Sequence, residues 1–219
     1  MFLKTSDQEK FELGYGNYSC NWGIHVAGLY ETEEERDEII FGFLGEGIQK
    51  KDLQLYVPAE QSREKFITNF SQSCPGCKNS LQNHEVFRFF DAKELYYPDG
   101  FFSPKAMDVG LNELYKNTQK NGKRNIRVAA EMVWALDAVM GKEHLFAYES
   151  RLNYFIPHKP WISICLYNIT KFYGATIMDV LHTHPYTLNK GILMENPYFQ
   201  DPDIWLKENA PQFLNENMI

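Results

Sequence analysis

Short apolar runs alternate with longer amphipathic segments along this chain, and this alternation constrains the fold more than any other feature. The first run covers residues 24–30, and apolar side chains then recur at helical spacing, at Ile39, Ile40, Phe43, Leu44 and Ile48. Between them, Thr32 and Glu35 have the spacing of a capping box, in which each side chain satisfies a free backbone N–H at the start of a helix. The sequence therefore predicts a buried strand followed directly by a helix.

The same alternation continues to the end of the chain. Further strands are predicted at 53–57, 86–90, 126–133, 161–167 and 191–195, and further helices at 62–70, 104–121, 143–155 and 175–182. Strands that alternate with helices are typical of an α/β domain with a mainly parallel sheet. The polar segment 71–83 is predicted to be an exposed insertion, because turn-forming residues are concentrated in it.

The composition fits a single domain covering residues 1–219, with a core from about 20 to 200 and a tail at 200–219. The chain is 44% hydrophobic, enough to bury a full core, and the apolar tail is expected to dock on the body or on a second copy in a homodimer. A net charge of −7 argues against direct binding to nucleic acid. No apolar run approaches the ~20 residues of a membrane span, and the charged N-terminus does not resemble a signal peptide, so we expect a cytoplasmic protein. Its four cysteines are expected to be mostly thiols.

Polar residues at the ends of the predicted strands are the first candidates for a ligand site. In open parallel sheets the binding crevice lies at the carboxyl ends of the strands. Tyr30, Glu31, Glu131 and Tyr167 occupy such positions. Glu131 stands out, because a carboxylate in an apolar strand needs a partner. It is predicted either to line the pocket or to pair with Arg127 or Arg151.

Three other groups of polar residues are weaker candidates. His25 lies in the first strand and is either a core histidine bonded to the backbone or a pocket residue. Glu149 and Asn153 are four residues apart and share one helix face, from which they contact a ligand or a neighbouring strand. His182 and His184 flank a predicted helix end, where capping is favoured over a metal site.

Cys74 and Cys77 have the spacing of a cysteine pair and admit three interpretations. They are incidental exposed thiols, two ligands of a Zn²⁺ site, or a redox pair. A structural zinc site needs four ligands. Besides Cys74 and Cys77, His84 is a candidate ligand close in sequence, and Cys20 and His25 are candidates further away. Incidental thiols are therefore favoured over a zinc site, and the redox pair is the least favoured of the three; no other cofactor is indicated.

Several blocks along the chain resemble the MEDS domain, a sensory domain named for methanogen and methylotroph proteins. The resemblance includes His25 and the segments 28–35 (GLYETEEE), 43–48 (FLGEGI), 127–134 (RVAAEMVW), 148–153 (YESRLN), 165–168 (CLYN), 184–185 (HP) and 196–198 (NPY). It implies a three-layer fold similar to RecA and KaiC ATPases, with a mainly parallel sheet and helices on both faces.

The resemblance also implies a function without ATP hydrolysis. No Gly-x4-Gly-Lys-Ser/Thr loop occurs, and the equivalent turn carries Glu31 and three more glutamates that repel phosphate, so the phosphate-binding loop is degenerate. The family is expected to bind a small molecule, proposed to be a hydrocarbon derivative, and to signal to a kinase or transcription regulator. With neither segment attached here, signalling in trans is expected. The alternative is an enzyme or redox protein that uses Glu131 with His25, or the Cys74/Cys77 pair.

Overall fold

A seven-stranded sheet organises the computed structural model, which describes residues 10–120, 122 and 124–214. The strands are β1 (Lys10–Glu12), β2 (Ser19–Asn21), β3 (Ile24–Tyr30), β4 (Leu53–Val57), β5 (Phe87–Phe89), β6 (Ile126–Glu131), β7 (Trp161–Asn168), β8 (Tyr186–Asn189) and β9 (Ile192–Glu195). The helices are α1 (Glu33–Gln49), α2 (Arg63–Ser73), α3 (Ala92–Tyr96), α4 (Pro104–Lys120), α5 (Leu145–Phe155), α6 (Gly174–Thr183) and α7 (Pro202–Asn209).

The strand order in the large sheet is β5-β4-β6-β7-β3-β8-β9, and every neighbouring pair is parallel except β8 and β9. The predicted α/β class with a mainly parallel sheet is confirmed. A separate antiparallel ribbon, β1 with β2, precedes it. In the part of the chain that the structure describes, no helix combines the length and apolarity needed to cross a bilayer.

The turn between β3 and α1 forms almost as the capping box predicts. Thr32 Oγ1 accepts a hydrogen bond from the backbone N–H of Glu35 at 3.3 Å. The Glu35 carboxylate accepts from the backbone N–H of Glu31 at 2.8 Å, one residue before the cap. This reciprocal pair fixes the direction in which the chain leaves the sheet.

The sequence missed some of the smaller elements. β8 was not predicted, and it forms a hairpin with β9 through Lys190 and Gly191, both at positive φ. The segment 71–83 begins as the last turn of α2, and its mostly exposed residues are anchored by buried Cys77 and Leu81. The predicted end of α4 includes Asn121, which lies outside the described residues, as do the first nine residues of the chain and the last five.

The tail packs on the body of the domain. In α7, Trp205 and Leu206 are buried in a small cluster with Ala147 of α5. Of the two predicted docking modes, the structure thus shows the intramolecular one.

Arg127 joins the ribbon, α1 and the sheet in the interior. Its side chain is fully buried, and Nε donates to Asp52 Oδ2 at 2.8 Å. Nη2 donates to the carbonyl of Glu12 at 2.9 Å, and the guanidinium lies 5.2 Å from the Phe43 ring and 5.7 Å from the Trp22 ring. The partner of Arg127 is therefore Asp52, and the predicted pairing with Glu131 is wrong.

Removing the charge of Asp52 tests how much the buried Arg127–Asp52 pair contributes to the stability of the fold. We expect Asp52→Asn to lower the free energy of unfolding by about 3–5 kcal/mol, because the buried guanidinium loses its counter-charge. Chemical denaturation measures the change.

Glu85→Gln is the matched control, since Glu85 is 82% exposed and lies 4.0 Å from Arg124. It should change the free energy of unfolding by less than about 0.5 kcal/mol. Equal effects of the two substitutions would contradict the interpretation that the buried Arg127–Asp52 pair stabilises the fold.

Candidate functional site

Glu149 lies at the centre of a buried polar cluster between α5 and the sheet. Its Oε2 is 3.0 Å from His25 Nε2, 3.4 Å from His184 Nε2 and 3.5 Å from Cys165 Sγ. Its Oε1 accepts a hydrogen bond from the Tyr167 hydroxyl at 3.2 Å. The exposed fraction of these five residues is 4% or less, so water does not screen their interactions.

Two adjacent strands, helix α5 and the turn between α6 and β8 assemble this cluster. His25 comes from β3, which lies between β7 and β8 in the sheet. Cys165 and Tyr167 come from β7, and His184 follows α6 just before β8. Cys165 and Tyr167 are two residues apart, so they share one face of the sheet, which α5 covers with Glu149.

Hydrogen bonds fix which nitrogen of each histidine faces Glu149. His184 Nδ1 is 2.8 Å from the Val180 carbonyl, which can only accept, so Nδ1 carries the hydrogen. Asn153 Nδ2 donates to three backbone carbonyls, of Glu149, Ser150 and Thr183, which leaves its Oδ1 as the acceptor for His25 Nδ1–H at 3.3 Å. In both rings the bare Nε2 therefore points into the cluster.

Burial controls the ionisation of these groups. It lowers the pKa of His25 to about 4, with a smaller contribution from the neighbouring His184. It raises the pKa of the Cys165 thiol well above its usual value, and the adjacent Glu149 adds to this increase. For Glu149, burial opposes ionisation, but hydrogen bonds from His184 and His25 in their protonated form outweigh it and lower the pKa. At neutral pH, a carboxylate thus faces a neutral imidazole of His25.

Part of this cluster was predictable from the sequence. His25, Glu149, Asn153 and Tyr167 were candidates, and the structure brings them together. His25 bonds to side chains, not to the backbone as one interpretation predicted. Cys165 was missed as a site residue. His184 was expected to cap a helix, which its Nδ1 does at the Val180 carbonyl, while its Nε2 enters the cluster.

Glu131 is the centre of a second network, at the end of β6 on the opposite face of the sheet. Its carboxylate accepts hydrogen bonds from the Tyr56 hydroxyl at 2.5 Å and from the backbone N–H groups of Ala59 and Glu60 at 2.7 Å each. Arg36 Nε lies 3.4 Å away. Glu131 holds the loop after β4 in place.

The predicted partners of Glu131 are both engaged elsewhere. Arg127 pairs with Asp52, and Arg151 Nε donates to Asp108 Oδ2 at 2.9 Å. The actual partner, Arg36, lies in the first turns of α1, where the apolar spacing at 39–48 gives no signal of a buried guanidinium. The predicted pairings of Glu131 with Arg127 or Arg151 are therefore wrong.

The remaining strand-end candidates do not join the Glu149 cluster. The Tyr30 hydroxyl donates to Glu60 at 2.5 Å, within the Glu131 network. Glu31 is exposed and pairs with Lys190 at 3.0 Å. Because His25 and Glu131 lie on opposite faces of the sheet, the structure does not form the single predicted pocket that contains both.

Cys74 and Cys77 are joined by a disulfide, which corrects the expectation that they are thiols. A disulfide sulfur is not a thiolate ligand, so this pair does not supply the predicted zinc site in the state that the structure shows. His84 is exposed nearby. Cys20 and Cys165 are free thiols.

A separate cavity of about 570 Å³ lies on the α4 side of the sheet. Strands β4, β6 and β7 form its floor, and α3, α4 and α5 form its walls. The lining is mainly apolar and includes Leu55, Val57, Tyr96, Leu111, Val128 and Tyr148. None of the seven predicted ligand-binding residues lines it. The cavity leaves no signal in the sequence, because its lining residues look like ordinary core residues.

Comparison with known proteins identifies the family. The family model for the methanogen/methylotroph, DcmR sensory domain, MEDS, matches residues 24–185. The chain belongs to the MEDS family. It is also 21% identical over 161 residues to the transcriptional repressor DcmR of Methylorubrum extorquens, covering 73% of this chain and 57% of DcmR. The chain thus spans little more than half the length of that relative.

Solved structures support the fold of this MEDS domain. The KaiC-like protein PH0186 of Pyrococcus horikoshii superposes with a TM-score of 0.52 at 11% identity, covering 84% of this chain and 81% of its own. The flagellar accessory protein FlaH of Methanocaldococcus jannaschii gives a TM-score of 0.50 at 13% identity, covering 82% and 83%. The predicted RecA/KaiC-like architecture is confirmed.

The Glu131 network of this MEDS domain yields a direct test of whether that carboxylate is structural. We expect Glu131→Gln to lower the free energy of unfolding by about 2–4 kcal/mol with no ligand present. The substitution removes the buried carboxylate that faces Arg36, which also pairs with Asp37, and places an amide where four donors converge. Urea denaturation provides the measurement.

Glu31→Gln serves as the control, because its partner Lys190 is exposed; a change below about 0.5 kcal/mol is expected. Full stability of Glu131→Gln would show that the carboxylate is not needed for folding, and would favour the predicted ligand role.

Proposed function

We propose that this MEDS domain is a non-enzymatic cytoplasmic sensor. It binds a small organic molecule and signals in trans to a kinase or a transcription regulator. The family is a sensory domain, and the similarity to a transcriptional repressor supports a regulatory role. A net charge of −7 favours a protein partner over direct contact with nucleic acid.

The observation that carries this proposal is the apolar cavity beside α4. Its volume of about 570 Å³ lies in the range of small-molecule sites, which are usually concave and mostly apolar. The lining favours a hydrocarbon derivative over a charged metabolite, because a charge would lose its hydration there without gaining an opposite charge from most of the wall.

Val128, on the floor of the cavity, is less buried than its position in a central strand would lead one to expect. β6 is a central strand, paired with β4 on one side and β7 on the other, where side chains are normally covered. Val128 is nevertheless only partly buried, and it faces the cavity. The floor of the cavity is therefore open to a molecule that enters past exposed Asp99 and Ala106.

ATP hydrolysis is not part of the proposed function. In P-loop ATPases, phosphates bind at the N-terminus of the helix after the first strand. Here the first turn of α1 carries Glu33, Glu34 and Glu35, and the backbone N–H of Glu35 is bonded to Thr32. Negative side chains at this point repel a nucleotide.

Filling the cavity tests the proposal. In a thermal-shift screen with short-chain alcohols, thiols and halogenated alkanes, at least one compound should raise the Tm of the unmodified protein. At a hundredfold excess over Kd the rise should be about 5–10 °C. We expect Val128→Phe to abolish this rise, because the larger ring occupies the floor of the cavity.

Val109→Phe is the matched control. Val109 is exposed on α4 and does not line the cavity, so the same change in size should leave the ligand-induced rise intact. The proposal fails if no compound stabilises the protein, or if both Val→Phe variants reduce the rise equally.

A further inference from the structure

We propose that His25, Glu149, Cys165 and His184 form a four-coordinate site for a divalent transition metal ion, with Zn²⁺ as the expected occupant. All four are buried, and one ligand atom from each lies within 4.8 Å of the other three. The site is distinct from the cavity proposed to bind the organic ligand, and it does not depend on that function.

Three of the six distances between donor atoms match the edges of a tetrahedron around a metal, a fourth is slightly shorter, and all six are within 4.8 Å. With bonds of about 2.0–2.3 Å to nitrogen, oxygen and sulfur, the edges of a tetrahedral zinc site measure about 3.3–3.6 Å. The distances from Glu149 Oε2 to His184 Nε2 and to Cys165 Sγ are 3.4 and 3.5 Å. His25 Nε2 is 3.4 Å from Cys165 Sγ and 3.0 Å from Glu149 Oε2.

The hydrogen-bond pattern leaves the inner atoms electron-rich. Both imidazoles use Nδ1–H for outer contacts, so two bare Nε2 atoms point at a carboxylate oxygen. His184 Nε2 is buried and has no hydrogen-bond partner. The Cys165 thiol supplies one hydrogen, which satisfies one of the three facing acceptors. A cation at the centre binds both Nε2 atoms, the Glu149 oxygen and the Cys165 sulfur at once, whereas a single proton cannot.

The surrounding contacts are those that metal-binding histidines require. In metal sites the outer nitrogen of a histidine donates to a carbonyl or carboxylate, which fixes the ring and its tautomer. Here the Val180 carbonyl orients His184, and Asn153 Oδ1 orients His25. The Tyr167 hydroxyl holds Glu149 Oε1 and leaves Oε2 directed inward.

The donor set selects the metal and its role. Two imidazoles with one thiolate and one carboxylate suit Zn²⁺ or Co²⁺ better than Mg²⁺ or Ca²⁺, which prefer oxygen. Four protein ligands leave no open position, which is typical of a structural zinc site. The ion would connect β3, β7, α5 and the end of α6.

Metal content and the spectrum of the cobalt form test the site. The full chain is produced in minimal medium with added Zn²⁺ or Co²⁺, and bound metal is measured by elemental mass spectrometry. We expect about one ion per chain, and in the cobalt form a thiolate-to-metal charge-transfer band with the visible bands of tetrahedral Co²⁺.

Two variants and their matched controls assign the ligands. Cys165→Ser should remove the charge-transfer band, whereas Cys20→Ser and the double change Cys74→Ser with Cys77→Ser should retain it. His184→Ala should lower metal content by about tenfold or more, while His182→Ala, two residues away and not in the cluster, should not. Circular dichroism confirms that each variant is folded.

The cobalt spectrum of the unmodified protein keeps the test decisive if a variant does not fold. Folded, unmodified protein that contains no stoichiometric metal after growth with added Zn²⁺ and Co²⁺ would overturn the proposal. So would bound metal without a charge-transfer band, or a band that Cys165→Ser leaves unchanged.

Discussion

A parallel sheet covered on both faces imposes the main constraint on this protein. Ionisable side chains on its strands are removed from water, so each must find its partner within the fold. Arg127 contacts Asp52, Glu131 contacts Arg36 and two backbone N–H groups, and His25 contacts Glu149 of α5. These interactions join elements far apart in sequence, and they fix the ribbon, the loop after β4 and α5 against the sheet.

Local signals in the sequence predicted most of the large elements. Thr32 and Glu35 marked the start of α1, because a capping box acts over four residues. The apolar runs at 53–57 and 161–167 form strands β4 and β7, with nearly the predicted bounds. The hairpin partner β8 was missed because it has four residues and directly follows Pro185, so it shows no periodicity of its own.

The Glu149 cluster was predictable only in part, for a physical reason. The helical spacing of Glu149 and Asn153 showed that they share a face, and both do contact His25. The strands that this helix face covers depend on the strand order β7-β3-β8. Strand order is a long-range property, and the periodicity of the sequence does not encode it. Cys165 therefore looked like an ordinary thiol and His184 like a helix cap, and Arg127 and Arg151 looked like suitable partners for Glu131.

Helix α5 connects the two sites, because consecutive residues face them. Tyr148 lines the cavity, and Glu149 lies in the cluster. Asn153, one turn further along, donates to the Thr183 carbonyl at the end of α6, and α7 packs against α5 through Trp205. Close-packed interiors transmit displacement instead of absorbing it. A ligand that displaces Tyr148 would therefore act on the same helix that holds Glu149 in the cluster and packs against α7.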